Sequence, residues 1–225
     1  MFKRATPSLV EVRTQLIKLI ADAQEEARKQ VRASAEQSET KSTFTFARTY
    51  PQQLVPRAKQ ILTSEMAKQM NKAQSNAQIG ILVDLKALKS MPAVDVDLYL
   101  SVLLATVEDL LGPTFLKYSI VFAGGDYHND RAVDLLRGKK WAEAEGELQS
   151  ALRFVNLWQY PHPNKVLNLY YLAVSYQNQG KKDPAIKSYK QTLDEYEKLT
   201  LDQKSWEDMK KIYTDAKETL ASLSK

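Results

Sequence analysis

The stretch NKVLNLYYLAVSYQNQGKKDPAIKSYKQTL, residues 164–193, predicts two short helices that pack on each other. In its first half, apolar residues recur at intervals of three and four, as they do along one face of a helix. They are Leu169, Leu172, Ala173 and Tyr176. A second stripe follows in the other half, at Ala185, Ile186, Tyr189 and Leu193.

The turn between these helices carries residues that end one helix and begin another. Gly180 can adopt the left-handed conformation that often follows a helix. Asp183 and Pro184 favour a new helix, with the aspartate as its capping residue and the proline at its first position. Ala173 and Ala185 are small enough to let the two backbones approach closely. The sequence therefore predicts a tight helical hairpin.

This order of a leucine, a small residue, a tyrosine and a glycine, followed by an alanine and an aromatic residue, resembles a tetratricopeptide repeat. The match includes LAVSYQNQGK at Leu172 to Lys181 and a preceding His162 and Pro163. In this form it is similar to the long-period repeats of kinesin light chains and related bacterial proteins. The resemblance covers roughly residues 126–199 and implies stacked helical hairpins that bind other proteins and are rarely catalytic.

A second copy of the pattern precedes this hairpin, in DRAVDLLRGKKWAEAEGELQSAL at 130–152. The interval from Ala132 to Ala173 is the same as the interval from Ala144 to Ala185. One offset shared by two pairs of positions is stronger evidence than either match alone. It indicates a repeat of about 41 residues, longer than the usual period of about 34.

The first copy departs from the pattern in its first helix and in its turn. His128 and Arg131 stand where large apolar residues are expected, and one extra residue follows Gly138 in the turn. We expect an atypical terminal repeat.

The fold predicted from these patterns is all-α. It consists of an α–α superhelix of tetratricopeptide-like hairpins preceded by an N-terminal helical region. Gly124 and Gly125 are expected to separate the two parts. The domains are therefore an N-terminal helical region at 1–125 and the repeats with a C-terminal capping helix at 126–225.

The N-terminal region contains several amphipathic segments. A long helix at 7–37 has an apolar stripe of Leu9, Val12, Leu16, Leu19, Ile20, Ala23, Ala27 and Val31. Phe44 and Phe46 are interpreted as loop residues tucked against the helices. A later helix carries Ile61, Leu62, Met66, Met70 and Ala73. The apolar segment 79–88 is expected to be buried, mainly as helix, and Asp95 is expected to cap a helix that ends at Gly112.

The C-terminal helix, from Asp202 to about Leu223, is predicted to seal the last repeat. Its apolar face consists of Trp206, Met209, Ile212, Tyr213, Ala216 and Leu220.

Composition excludes several classes of protein. The chain has no cysteine, which rules out disulfides, thiol catalysis and cysteine-based zinc sites. Its longest apolar run, Leu98 to Val107, is too short to cross a bilayer. No membrane span is expected. A cytoplasmic location is favoured, and a periplasmic or organellar one stays open if a leader was removed.

No catalytic, metal or cofactor site is expected. The two histidines, His128 and His162, have no helical neighbour at the spacing of a metal site. Glu143, Glu145 and Glu147 follow at intervals of two, which spreads them around a helix axis. Because no nucleophile, base and orienting acid can be assembled, we do not expect an enzyme.

In tetratricopeptide arrays the first helix of each pair lines a concave groove, and the resemblance implies a partner-binding surface there. Its predicted residues are Asn129, Val133, Leu136, Arg137, Leu167, Tyr170, Tyr171, Val174, Gln177 and Asn178. The clamp by which some members hold a chaperone tail needs a lysine and an asparagine where Tyr170 and Val174 stand. An apolar and aromatic protein ligand is expected instead, with the amides of Gln177 and Asn178 bonding its backbone.

The main functional hypothesis is a non-enzymatic scaffold or adaptor that binds a peptide or helix of another protein. A self-associating assembly module that uses the stripe at Leu9 to Val31 is the first alternative, and it would make the chain a homo-oligomer. The second is nucleic-acid binding, because residues 1–92 hold 15 basic and 8 acidic side chains. A basic surface of this kind is more often simply solvated, so nucleic acid is the least favoured partner.

Overall fold

The computed structural model describes residues 8–35, 53–64, 66–67, 80–112 and 116–224. Regular structure in these ranges is helical and they contain no strand, which confirms the all-α prediction. None of the helices described there is long and apolar enough to span a membrane. Contacts within the chain divide it into two compact units, 1–123 and 124–225.

The first unit is built around a long helix packed on an apolar one. Its helices are α1 (Leu9–Ala35), α2 (53–61), α3 (Leu85–Lys89) and α4 (Ala93–Leu111). The predicted stripe of α1 is confirmed at its buried members, Val12, Leu16, Leu19, Ile20, Ala23 and Ala27. It packs against α4. The side chain of Val31 and the predicted positions Phe44, Phe46, Met70 and Ala73 lie outside the described residues.

Asp95 does not cap α4 as the sequence predicted. Pro92 is the capping residue, so Asp95 falls inside the first turn, where its backbone is already helical. Its side chain is 6% exposed, and Oδ1 has no hydrogen-bond partner among the described residues. Burial raises the pKa of Asp95, and the positive charge of Arg28 opposes this effect.

The apolar segment 79–88 is not one continuous helix. Residues 80–82 are helical, the helical conformation is interrupted at Val83 and Asp84, and α3 follows. Asp84 caps α3 by accepting a hydrogen bond from the backbone N–H of Lys86. The predicted burial is confirmed for Leu82 and Leu88.

The second unit is a run of antiparallel helices with short turns. They are α5 (Leu116–Arg137, which begins before the unit boundary), α6 (Trp141–Val155), α7 (Pro163–Asn178), α8 (Lys182–Glu197), α9 (Leu201–Ser205) and α10 (Glu207–Leu223). Helix α7 packs on both α6 and α8, and α10 packs on both α7 and α8. The predicted hairpin at 164–193 is α7 and α8.

Gly124 and Gly125, which the sequence predicted to separate two regions, lie where the two units meet, but they do not break the helix and lie inside α5. Both are buried against α6. A Cβ on Gly124 would lie 2.6 Å from Cγ of Phe154, and one on Gly125 would lie 2.8 Å from Cγ2 of Val155. The two glycines therefore serve close helix packing rather than a break.

The turns after α5 and α7 share one hydrogen-bond pattern at the offset that relates Ala132 to Ala173. In the first, the N–H of Lys140 bonds the carbonyl of Leu135 at 2.9 Å; in the second, the N–H of Lys181 bonds that of Tyr176 at 2.9 Å. The left-handed residue is Gly180 (φ 72°) in one turn and Lys139 (φ 57°) in the other. No extra residue is inserted, and the counterpart of Gly180 is Lys139 instead of Gly138.

Burial repeats with the same offset in the second helix of each pair. The matched buried residues are Ala144 and Ala185, Leu148 and Tyr189, Ala151 and Thr192, and Val155 and Tyr196. Helix α10 repeats the burial pattern of α7 at a slightly longer offset. Its buried Met209, Ile212 and Ala216 match Val166, Leu169 and Ala173 of α7.

Two predicted helix starts were wrong. Helix α8 begins at Lys182 after the capping residue Lys181, so Asp183 lies in its first turn and makes no capping bond. The C-terminal helix is not continuous from Asp202, because Trp206 has an extended ψ of 135° and divides it into α9 and α10. Trp206 was expected on the packed face, yet it is 49% exposed.

Candidate functional site

A cleft of about 820 Å³ lies between α7 and the start of α10. Five of its residues come from α7: Pro163, Asn164, Leu167, Tyr170 and Tyr171. The others come from Trp206 and the helix that follows it: Glu207, Asp208, Met209, Lys211, Ile212 and Asp215.

The break at Trp206 forms one end of this cleft. Helix α9 starts with a reciprocal capping box, in which Thr200 and Gln203 each accept a hydrogen bond from the other's backbone N–H. Because α9 ends after five residues, the chain turns at Trp206 and α10 leaves in a new direction. The indole of Trp206 is held at this turn with half of its surface exposed.

Met209 and Ile212, at the floor of the cleft, belong to an apolar cluster shared by three helices and a turn. Its buried members are Val166, Tyr196, Leu199, Met209 and Ile212. The rings of Tyr196 and Tyr213 stack at 4.5 Å between centroids, which joins α8 to α10. The floor is therefore packed as part of the fold, and the groups above it are presented on a firm base.

Tyr170 joins the cleft to the core. Its ring lies 6.2 Å from that of Tyr189, and its hydroxyl lies 3.4 Å from Oδ2 of Asp215. Burial and the carboxylate of Asp215 raise the pKa of Tyr170 to about 12. The hydroxyl is therefore neutral at physiological pH and donates a hydrogen bond to Asp215.

The structure brings together three of the residues that the sequence predicted for the groove. Leu167, Tyr170 and Tyr171 line the cleft side by side on α7. The rings of Tyr170 and Tyr171 lie 5.7 Å apart.

Three other predicted residues of α7 lie away from the cleft. Val174 packs on the cluster formed by α7, α8 and α10. Gln177 accepts a hydrogen bond from the hydroxyl of Tyr189 at 2.7 Å. Asn178 donates to the carbonyl of Val174 within its own helix. The predicted backbone contacts through Gln177 and Asn178 therefore compete with bonds inside the fold.

The predicted residues of α5 have mixed surroundings. Asn129 donates to the side-chain oxygen of Asn168 at 2.7 Å, which ties α5 to α7. Val133 and Leu136 are half-buried, and Arg137 is exposed and pairs with Asp134 at 3.2 Å. None of these lines the cleft between α7 and α10.

Three acidic side chains that the sequence did not reveal as a group line the cleft, and a fourth bonds one of its lining residues. Its lining holds three carboxylates, Glu207, Asp208 and Asp215, and one amine, Lys211. Asp126 accepts a hydrogen bond from Asn164, a lining residue, at 2.7 Å. Burial and the charge of Asp130 raise the pKa of Asp126, and the bond from Asn164 opposes this effect. Acidic spacing on α10 alone could not reveal this, because the packing of α7 on α10 was unknown.

The two histidines have structural partners. His162 caps α7 by accepting a hydrogen bond from the backbone N–H of Asn164, and burial lowers its pKa. His128 is buried, with Nδ1 2.7 Å from Oε2 of Glu147. In the described ranges, no three histidine, aspartate or glutamate residues are grouped as metal ligands would be.

No protein-family model matches this sequence, and no curated protein matches it at a significant level. The function of the cleft must therefore be argued from its residues. They offer an exposed indole and two half-buried phenol rings over an apolar floor, with carboxylates at the edge.

Proposed function

We propose that this protein is a non-enzymatic scaffold whose tetratricopeptide-like repeats bind a segment of another protein. The cleft between α7 and α10 is the binding site in this proposal, with Tyr171 and Trp206 as its main contacts. The single observation that carries it is an exposed tryptophan placed over an apolar floor in a cleft of about 820 Å³.

The repeat architecture is supported by three first helices with one burial pattern. Helix α5 buries Gly125, His128 and Ala132, which precede Val166, Leu169 and Ala173 of α7 by one constant offset. Helix α10 adds a third set that follows the set of α7. A series of first helices that pack in order is the arrangement that stacked helical repeats use.

The lining of the cleft suits a protein segment. Tryptophan and tyrosine contribute strongly to protein interfaces, since they bury large areas with few rotatable bonds. Trp206 is 49% exposed, which leaves area for a ligand to cover.

The chemistry of the cleft favours binding over catalysis. Its phenol, Tyr170, has a raised pKa of about 12 and is a poor base at neutral pH. The carboxylate of Asp215 is already engaged by that phenol, which donates a hydrogen bond to it.

The two alternative functions have less support. The stripe of α1 that would drive self-association is already buried in its own chain from Val12 to Ala27. Basic residues of α1 are paired with acids, as in Arg13 with Asp84 and Lys18 with Asp22. Neither observation favours an oligomer or a nucleic-acid complex built on this helix.

Affinity capture with the full chain tests the proposed site. The variant Trp206→Ala removes the exposed ring, and Leu201→Ala removes an apolar side chain that is 87% exposed and outside the cleft. We expect native partners to be lost with Trp206→Ala and kept with Leu201→Ala. Equal capture by both variants would show that the cleft is not the site.

A further inference from the structure

The charge around the cleft points to the kind of segment that it accepts. We infer that the occupant is a basic segment of a partner protein, with a lysine or arginine side chain set beside an apolar one. This inference rests on the proposed function and specifies the chemistry of the ligand at the same cleft.

Two of the lining carboxylates have an ordinary structural explanation. Glu207 and Asp208 lie in the first turn of α10, where negative charge interacts favourably with the helix dipole. Both are exposed. They stabilise the helix and also place negative charge at the edge of the cleft beside Trp206.

The remaining carboxylates are not explained in this way. Asp215 lies in the third turn of α10 and faces the hydroxyl of Tyr170. Asp126 lies on α5, where the nearby charge of Asp130 makes its ionised form less favourable. The bond that Asp126 accepts from Asn164 comes from a neutral amide, so it supplies no compensating charge.

A cationic side chain would improve this arrangement. Its charge would be attracted to the three lining carboxylates, and its alkyl stem would cover Leu167 and Met209 at the floor. Arginine has the additional advantage that its planar guanidinium can stack on Trp206 or Tyr171 and bond a carboxylate with two N–H groups. An acidic segment would instead be repelled by the lining carboxylates.

Basic side chains near the cleft do not already fill this role. Lys165 of α7 pairs with Glu195 at 3.1 Å, away from the lining, and Arg131 pairs with Glu147 at 2.8 Å. Lys211 is exposed on α10 and can move aside with little cost, because it is a long surface side chain.

An array of immobilised random peptides, each about twelve residues long, tests the inference with the full-length protein. We expect the bound peptides to be enriched in arginine or lysine next to aromatic or aliphatic residues. The double variant Glu207→Gln with Asp208→Asn should bind these peptides about three- to tenfold more weakly. Asp202→Asn with Glu218→Gln changes the net charge equally at exposed positions outside the cleft, and should bind as the native chain does.

Charge reversal gives a second readout that does not depend on tight binding. Glu207→Lys with Asp208→Lys should shift the enrichment from basic toward acidic peptides. Circular dichroism and urea unfolding of each variant would establish that it is folded.

The outcomes separate this inference from the proposed function. Binding that Trp206→Ala abolishes, but that shows no basic enrichment, would overturn the inference and leave the scaffold function standing. Binding that is indifferent to Trp206→Ala, or no peptide binding at all, would overturn both. A concentration-dependent dimer in sedimentation that Trp206→Ala disrupts would assign the cleft to a second copy and contradict the inference.

Discussion

Gly124 determines how closely α5 can approach α6. A methyl group on Gly124 would lie only 2.6 Å from Cγ of Phe154. Phe154 is itself 4% exposed, so its ring has little room to move. We expect Gly124→Ala to lower the free energy of unfolding by about 1–3 kcal/mol, as overpacking of a core does. Urea unfolding followed by tryptophan fluorescence measures this, since Trp141, Trp158 and Trp206 all lie in 124–225.

Gly146 provides the matched control. It lies in the exposed middle of α6, with no atom within 4 Å of an added Cβ. Gly146→Ala should therefore stabilise the protein by about 0.5–1 kcal/mol through helix propensity alone. If Gly124→Ala also stabilised it, the close approach of α5 to α6 would be refuted.

Glu147 bonds the buried His128, which takes the position on α5 that the buried Leu169 takes on α7 at the common offset. Burial opposes its ionisation, yet hydrogen bonds from His128 and Arg131 outweigh that effect and lower the pKa of Glu147 below 4.5. A lowered pKa in the folded state means that the contribution to stability is present above about 4.5 and is lost as the pH falls through the folded value.

Glu147→Gln should cost about 1.5–3 kcal/mol at pH 7, the range for hydrogen bonds to charged groups. The difference from the native chain should shrink as the pH falls below 4.5. Urea titrations across this range measure both effects. Glu143→Gln, which alters an exposed ion pair with Lys140, should change little, and a pH-independent loss for Glu147→Gln would rule out the ionic explanation.

The two turns that follow α5 and α7 share one geometry, yet substitutions at their left-handed residues should change the free energy of unfolding in opposite directions. Lys139 and Gly180 hold equivalent left-handed positions, but only glycine adopts this conformation without strain. Lys139→Gly should raise the free energy of unfolding by about 0.5–1 kcal/mol, and Gly180→Ala should lower it by a similar amount. Neither site crowds a new side chain, because an added Cβ on Gly180 has no neighbour within 4 Å and Lys139 is exposed.

Chemical denaturation of these two variants checks the equivalence of the turns. If both variants changed the free energy of unfolding in the same direction, Lys139 and Gly180 would not hold equivalent positions in the two turns.

The helices were largely predictable because their apolar residues follow the helical period. The spacing from Leu169 to Tyr176 indicated α7, and the stripe of α1 was correct from Val12 to Ala27, whereas Leu9 is only half-buried. Glycine was harder to interpret, because the same residue can end a helix or allow two helices to pack closely. Gly124 packs against Phe154, which lies on the next helix and is too far along the chain for local patterns to reveal.

The candidate site was less predictable than the helices. Leu167, Tyr170 and Tyr171 were predicted for one groove from the period of α7, and they do line a single cleft, although their role in binding stays a prediction. Trp206 was missed, since its backbone break depends on the capping box of Thr200 and Gln203 immediately before it. Asp126 was missed because its partner Asn164 belongs to a different helix, distant in the sequence.

At the scale of the whole molecule, the acidic cleft contrasts with a chain of net charge +5. Overall charge therefore opposes a basic ligand, and attraction must act locally, within about one Debye length of the carboxylates, roughly 8 Å at physiological ionic strength. A basic peptide taken from the array should accordingly bind more weakly as salt rises. Fluorescence anisotropy between low and high salt measures this, and affinity independent of salt would remove the role of charge.

NMR of the indole N–H groups tests directly whether the cleft beside Trp206 binds a basic segment. The ¹⁵N-labelled protein gives one indole signal for each of Trp141, Trp158 and Trp206, assigned through single Trp→Phe variants. On titration with a bound basic peptide, we predict that the Trp206 signal shifts while those of Trp141 and Trp158 stay in place. An unchanged Trp206 signal at saturating peptide would contradict the account.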